Sequence, residues 1–125
     1  MNEILKELEN EKYINLETYR KNGKTVHTPV WFVISDDLIQ VITREKTGKV
    51  KRLKNSPKVK FAKCRFKGEL KGDWHSGVSK FFDDDQVQKI LKLRKKKYGF
   101  FSTFVAALSK SKGDYVGFSI TPEQL

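Results

Sequence analysis

Between residues 25 and 57 the sequence runs TVHTPVWFVISDDLIQVITREKTGKVKRLKNSP, two strand-like segments that pass directly into a short basic helix. No other stretch restricts the fold as much. Residues 26–34 and 38–43 are rich in β-branched and aromatic side chains, and Ser35-Asp36-Asp37 between them is a turn, so the pair predicts an antiparallel hairpin. Pro29 has no N–H to give to a ladder, which puts its strand at an edge or leaves it bulged or open on that side. An open backbone can face a ligand.

In the segment that follows, Val50 and Leu53 fall at i, i+3 and Pro57 closes it, which predicts a helix of two or three turns. Thr47 stands at the N-cap, and the first-turn amides behind it are unpaired and carry partial positive charge. Lys49, Lys51 and Arg52 add point charges and a bidentate fork suited to phosphate oxygens. Charge pattern alone fits a solvated basic face equally well.

The phrases KYINLETYRKNGKTVHTPVWFV, LIQVIT and TGKVKRLKNSPKVKFAKC together resemble the pyridoxamine 5′-phosphate oxidase-like superfamily, in particular its branch of probable F420-dependent enzymes. The similarity covers residues 12–77 and continues more weakly to the end. It implies a split β-barrel that forms a homodimer and holds FMN or the deazaflavin F420 at the dimer interface. By position it implies that His27, Thr28, Pro29, Val30 and Trp31 form the strand lying against the cofactor ring. It gives Thr43 as the strand-end hydroxyl, and Thr47, Lys49, Lys51 and Arg52 as the phosphate group. Gly48 stands where the vitamin B6 oxidases carry Arg, and the longer carboxy-terminal part of those enzymes, with its substrate-site Trp and Arg, has no counterpart. B6 oxidation is therefore not the expected reaction.

With 125 residues and nine Phe, four Tyr and two Trp, the chain has apolar surface enough for one core, and we expect one domain, residues 1–125. No run reaches the roughly 20 apolar residues of a bilayer span, and the start of the chain is acidic and amphipathic, so a cytoplasmic protein without a membrane partner is expected. Cys64 is the only cysteine, which excludes an intrachain disulfide and a thiolate metal cluster; His27 and His75 lack ligand spacing, and no metal site is expected.

The net charge of +11 is concentrated, with twelve Lys or Arg against Glu45 and Glu69 between residues 44 and 71, and a second cluster in KLRKKK at 92–97. Such a field predicts an anionic partner. Nucleic acid would use the same charges. Against it, only Phe61 and Phe66 interleave with the basic residues, too few for a stacking platform, and no nucleic-acid motif is present.

Further along, residues 59–66 change apolar phase midway, which predicts a bulge or a passage from core to interface. Asp83-Asp84-Asp85 opens a helix at 84–98 that ends at Gly99, and Phe101, Phe104, Val105 and Leu108 predict a second short apolar helix face. A last strand over 114–121 faces Val116, Phe118 and Ile120 inward. The architecture that fits is a six- or seven-stranded antiparallel split barrel with flanking helices. No protein nucleophile or carboxylate pair stands out, and the resemblance implies hydride transfer from F420 or FMN to a small-molecule substrate, with His27 or Tyr19 as candidate proton sources. The alternative is a binding module without turnover, either a flavin or F420 carrier or a nucleic-acid-binding basic barrel.

Overall fold

Period-two patterning dominates the chain, and the strands it encodes pair into one antiparallel sheet. In the computed structural model, which describes residues 2–123, these are β1 (Tyr13–Tyr19), β2 (Thr25–Val30), β3 (Val33–Ser35), β4 (Leu38–Arg44), β5 (Lys58–Cys64), β6 (His75–Phe82) and β7 (Tyr115–Pro122). The strand order is β2-β1-β5-β6-β7-β4-β3. Helices α1 (Glu3–Leu8), α2 (Gly48–Asn55), α3 (Asp84–Tyr98) and α4 (Phe100–Ser109) flank it. Seven antiparallel strands in an open half-barrel make this a split β-barrel.

One face of the sheet closes on the core. Ile14 and Leu16 of β1, Val59 and Phe61 of β5, Phe118 and Ile120 of β7 and Ile39 and Val41 of β4 alternate inward, and Leu5 and Leu8 of α1 cap the cluster. Val116, also predicted inward, is half-buried. A second cluster, Val33, Ile42, Val87 and Ile90, seats α3 on β3 and β4. The start of α3 follows the sequence reading: Asp83 Oδ1 accepts from Gln86 N at 2.9 Å, and Lys95, Lys96 and Lys97 lie in the last turn, where the dipole favours cations.

Two features depart from the sequence reading, and a third settles a direction that it left open. The run 26–34 is two strands, because the chain leaves the ladder at Trp31 and Phe32, and β2 and β3 end at opposite edges of the sheet. Only β3 and β4 make the tight hairpin, through Asp36 and Asp37, both at φ 57°. Second, β5 has no bulge against β1: the register runs unbroken from Glu17↔Lys60 to Tyr13↔Cys64. Ala62 and Cys64 are instead buried on the other face, where Gly68 of the following turn sits against Asn15 and Pro29. Third, the large apolar side chains of α4 point outward. Phe100, Phe101, Phe104 and Leu108 are 94%, 70%, 61% and 68% exposed, while Ser102 is buried.

Candidate functional site

The hairpin between β1 and β2 turns on Asn22 and Gly23, whose φ of 85° suits glycine, and Asn22 Oδ1 accepts from Lys24 N at 3.0 Å. This turn brings Arg20 and Lys21 beside the amino-terminal half of α2. Together with Tyr19, Gly48, Lys51, Arg52 and Asn55 they line an open pocket of about 470 Å³, within the usual range for a ligand cleft. Four cationic side chains face it, and none has a carboxylate within salt-bridge distance among the described residues.

Arg52 is held in place from below. Its Nε donates to Oγ1 of the buried Thr18 at 2.6 Å, leaving the terminal nitrogens of the fork toward the pocket side of Gly48. A Cβ on residue 48 would lie 2.6 Å from Nη1, so glycine makes room for the guanidinium. Burial, and then the like charge of Arg20, push Arg52 below its ordinary pKa. An anion in the pocket would relieve that repulsion.

Thr47 occupies the N-cap position predicted for it but does not cap: its hydroxyl donates back to Arg44 O at 2.9 Å. Of the first-turn amides, those of Gly48, Lys49 and Val50 have no intrahelical acceptor in an α-helix. Lys49 is not part of the pocket lining. Burial first, then Lys112 and Arg52, bring its pKa down to about 8. Because the folded value lies below the ordinary 10.5, the charged form strains the fold, and this strain is relieved as pH rises from about 8 toward 10.5. Urea midpoints measured across that window should climb in the wild type and climb less in Lys49→Met. An identical climb in both would show that Lys49 is solvated.

Beside the pocket, Tyr19 and His27 share one carboxylate. The Tyr19 hydroxyl donates to Glu17 Oε2 at 2.7 Å, and His27 Nε2 lies 2.7 Å from Oε1. Burial opposes ionisation of Glu17, but the hydrogen bonds from His27 and Tyr19 outweigh it and lower its pKa; burial and Glu17 push the tyrosine up to about 12. The half-exposed His27 ring packs on Trp74 with centroids 4.9 Å apart. A hydrogen-bonded chain thus runs from the pocket wall at Tyr19 to a histidine on the edge strand.

The other ring-contact positions divide. Thr28 and Val30 stand opposite Leu16 and Ile14, on the core face, so their side chains are turned from solvent and only backbone is offered on the free edge of β2. Pro29 packs under Gly68. Trp31 stacks on Tyr98 at 4.2 Å and an interplanar angle of 10°. Thr43 is buried in β4 opposite Val116. The structure therefore gathers Lys51 and Arg52 at the pocket, with His27 linked to it through Glu17, and leaves Thr43, Thr47, Lys49 and Trp31 outside its lining. Arg20, Lys21, Asn22 and Asn55 were not anticipated. Their signal in the sequence is a pair of cations just before an Asn-Gly turn, which shows a hairpin but not what the hairpin faces.

No protein-family model matches the sequence, and no curated protein matches it significantly. Solved structures do match. HutZ, the heme storage protein from Vibrio cholerae, superposes with a TM-score of 0.74 at 18% identity, covering 98% of this chain and 89% of that one. An F420 reductase gives 0.64 at 17% identity over 99% and 96% of the two chains. A putative pyridoxamine 5′-phosphate oxidase from Listeria innocua gives 0.63 at 15% over 97% and 91%. At these identities the likeness is one of fold. The chain shares the split-barrel fold of these structures.

Proposed function

We propose that this protein binds a phosphate-bearing flavin or deazaflavin, F420 or FMN, and acts as a homodimeric oxidoreductase on a small-molecule substrate. The observation that carries the proposal is the pocket between the β1–β2 hairpin and α2, where Arg20, Lys21, Lys51 and Arg52 converge with no carboxylate partner among the described residues. Four uncompensated cations beside free helix amides suit a phosphate dianion or diester. The residues present fit that group: Arg52 offers its fork, Gly48 clears the approach, and Lys51 and Arg20 supply charge from two elements. Bound there, the cofactor would supply hydride chemistry.

The chain's own residues have separate tasks. The free edge of β2 offers backbone to a ring, and His27, oriented by Glu17, is placed to hold or pass a proton at that edge. The fold neighbours include an F420 reductase and a heme storage protein, which supports a cofactor-binding barrel and keeps a carrier without turnover as the second reading.

Titrating purified protein with F420 and with FMN tests the proposal. Saturable binding of one of them, followed by reduction of an added acceptor, is the expected result. Binding without turnover would assign the carrier reading, whereas retention on nucleic acid with neither cofactor bound would overturn both.

A further inference from the structure

Helix α4 is inside out. Its inward face is small and polar, with Ser102 buried and Val105, Ala106 and Ser109 half-buried, while Phe100, Phe104 and Leu108 form an i, i+4, i+8 stripe toward solvent with Phe101 beside it. Polar bonds fix this orientation. Arg44 donates from Nη2 to Ala106 O at 2.9 Å, from Nε to Ser109 Oγ at 3.0 Å and from Nη1 to Gly113 O at 3.2 Å, and its guanidinium lies 3.6 Å from the Tyr115 ring centroid. At the other end the Ser102 hydroxyl donates to Gly99 O at 2.7 Å. The helix is anchored by its polar side, so the apolar side is presented.

The surroundings say what this face would meet. From Gln86 to Gly113 there is no Asp or Glu, but there are eight cations: Lys89, Lys92, Arg94, Lys95, Lys96, Lys97, Lys110 and Lys112. Lys95 and Lys96 end α3 one turn before the stripe, Lys110 and Lys112 follow it directly, and all four are exposed. An apolar helix face with basic flanks is the arrangement of helices that lie in the headgroup layer of anionic membranes, rings and methyls in the acyl boundary and lysines among the phosphates.

A second copy of the chain fits less well. Three exposed aromatics and a leucine amount to roughly 500 Å², short of the roughly 800 Å² per partner of a stable interface. Pairing the face with itself would also bring both lysine clusters together. We therefore propose that α4 docks the protein peripherally on an anionic phospholipid surface. This departs from the expectation that no membrane partner exists, which rested on the absence of a span. No helix among the described residues is long and apolar enough to cross a bilayer, and lying on one requires no span.

The experiment is co-sedimentation of the full chain with vesicles of phosphatidylcholine alone and of phosphatidylcholine with phosphatidylserine. The expected result is binding to the second only, weakened by salt, and reduced at least about tenfold in Phe101→Ser/Phe104→Ser. The same double variant should keep its circular dichroism spectrum, since both side chains are exposed. Phe66→Ser, which removes an equally exposed ring far from α4 in sequence, should bind as the wild type does. No binding to anionic vesicles, or binding unchanged in the double variant, would overturn the proposal. So would a dimer that dissociates on Phe104→Ser, or capture by polyglutamate without capture by vesicles, which would assign the face to a second copy or to an acidic polypeptide.

Discussion

Phe61→Ala is expected to lower the free energy of unfolding by about 3–5 kcal/mol, a large share of the roughly 5–15 kcal/mol that a domain of this kind possesses. The ring is 0% exposed on β5, opposite Leu16 of β1 on one side and His75 of β6 on the other, with its centroid 5.6 Å from the His75 ring. It also lies against Gly77 of β6, where a Cβ would sit 3.2 Å from Phe61 Cε1. The glycine and the phenylalanine are thus complementary halves of one packing contact. Removing the ring leaves a cavity that β5 cannot collapse into, because it is laddered to β1 and β6 on both sides. Urea denaturation reads this directly as a lower midpoint at unchanged slope. A loss below about 1 kcal/mol would mean that the barrel repacks, and would contradict the placement of Phe61 at its centre. Phe100→Ala, at 94% exposure, should by contrast change stability by less than about 0.5 kcal/mol.

That contrast between two phenylalanines marks what the sequence could and could not disclose. Where a strand alternates, burial follows from period alone, and the inward positions Phe118 and Ile120 of β7 were legible for that reason. The break at Trp31 was not, because Val30 to Ile34 carries unbroken β propensity and the chain leaves the ladder for tertiary reasons. Tyr98, 66 residues beyond Phe32, accepts the Phe32 N–H at 3.0 Å and stacks on Trp31. Propensity is local and this contact is not. For α4 the sequence showed the apolar face but not its direction, since a helical stripe shows that a face is apolar without showing whether the core or something outside the chain covers it. In the candidate site, the basic helix was readable from Gly48 to Arg52. Its partner cations at Arg20 and Lys21 were not, because spatial convergence of two turns leaves no mark in either. Thr47 failed as a cap because Arg44 O, three residues back, took its hydroxyl proton.

Arg52→Ala is expected to weaken binding of a phosphate-bearing cofactor by about 1.5–3 kcal/mol, or about ten- to a hundredfold, while Lys67→Ala, an exposed cation outside the pocket lining, leaves it unchanged. The apo protein gives the physical reason for so uneven an outcome. Arg52 is partly desolvated beside Arg20 and has no carboxylate partner among the described residues, so in the absence of ligand its charge opposes folding. The same excess of cofactor should raise the melting temperature of the wild type clearly and of the variant much less, since a ligand stabilises by RT ln(1 + [L]/Kd) and the variant's Kd is larger. Arg52→Lys should fall between the two: it keeps the charge but cannot both donate to Thr18 and present a fork. Thr18→Val completes the set by removing the 2.6 Å bond that aims the guanidinium while leaving the guanidinium in place, and a partial loss of affinity is expected. If Arg52→Ala and Lys67→Ala bind cofactor alike, the pocket between the hairpin and α2 is a solvated basic surface, and the assignment of a phosphate to it fails.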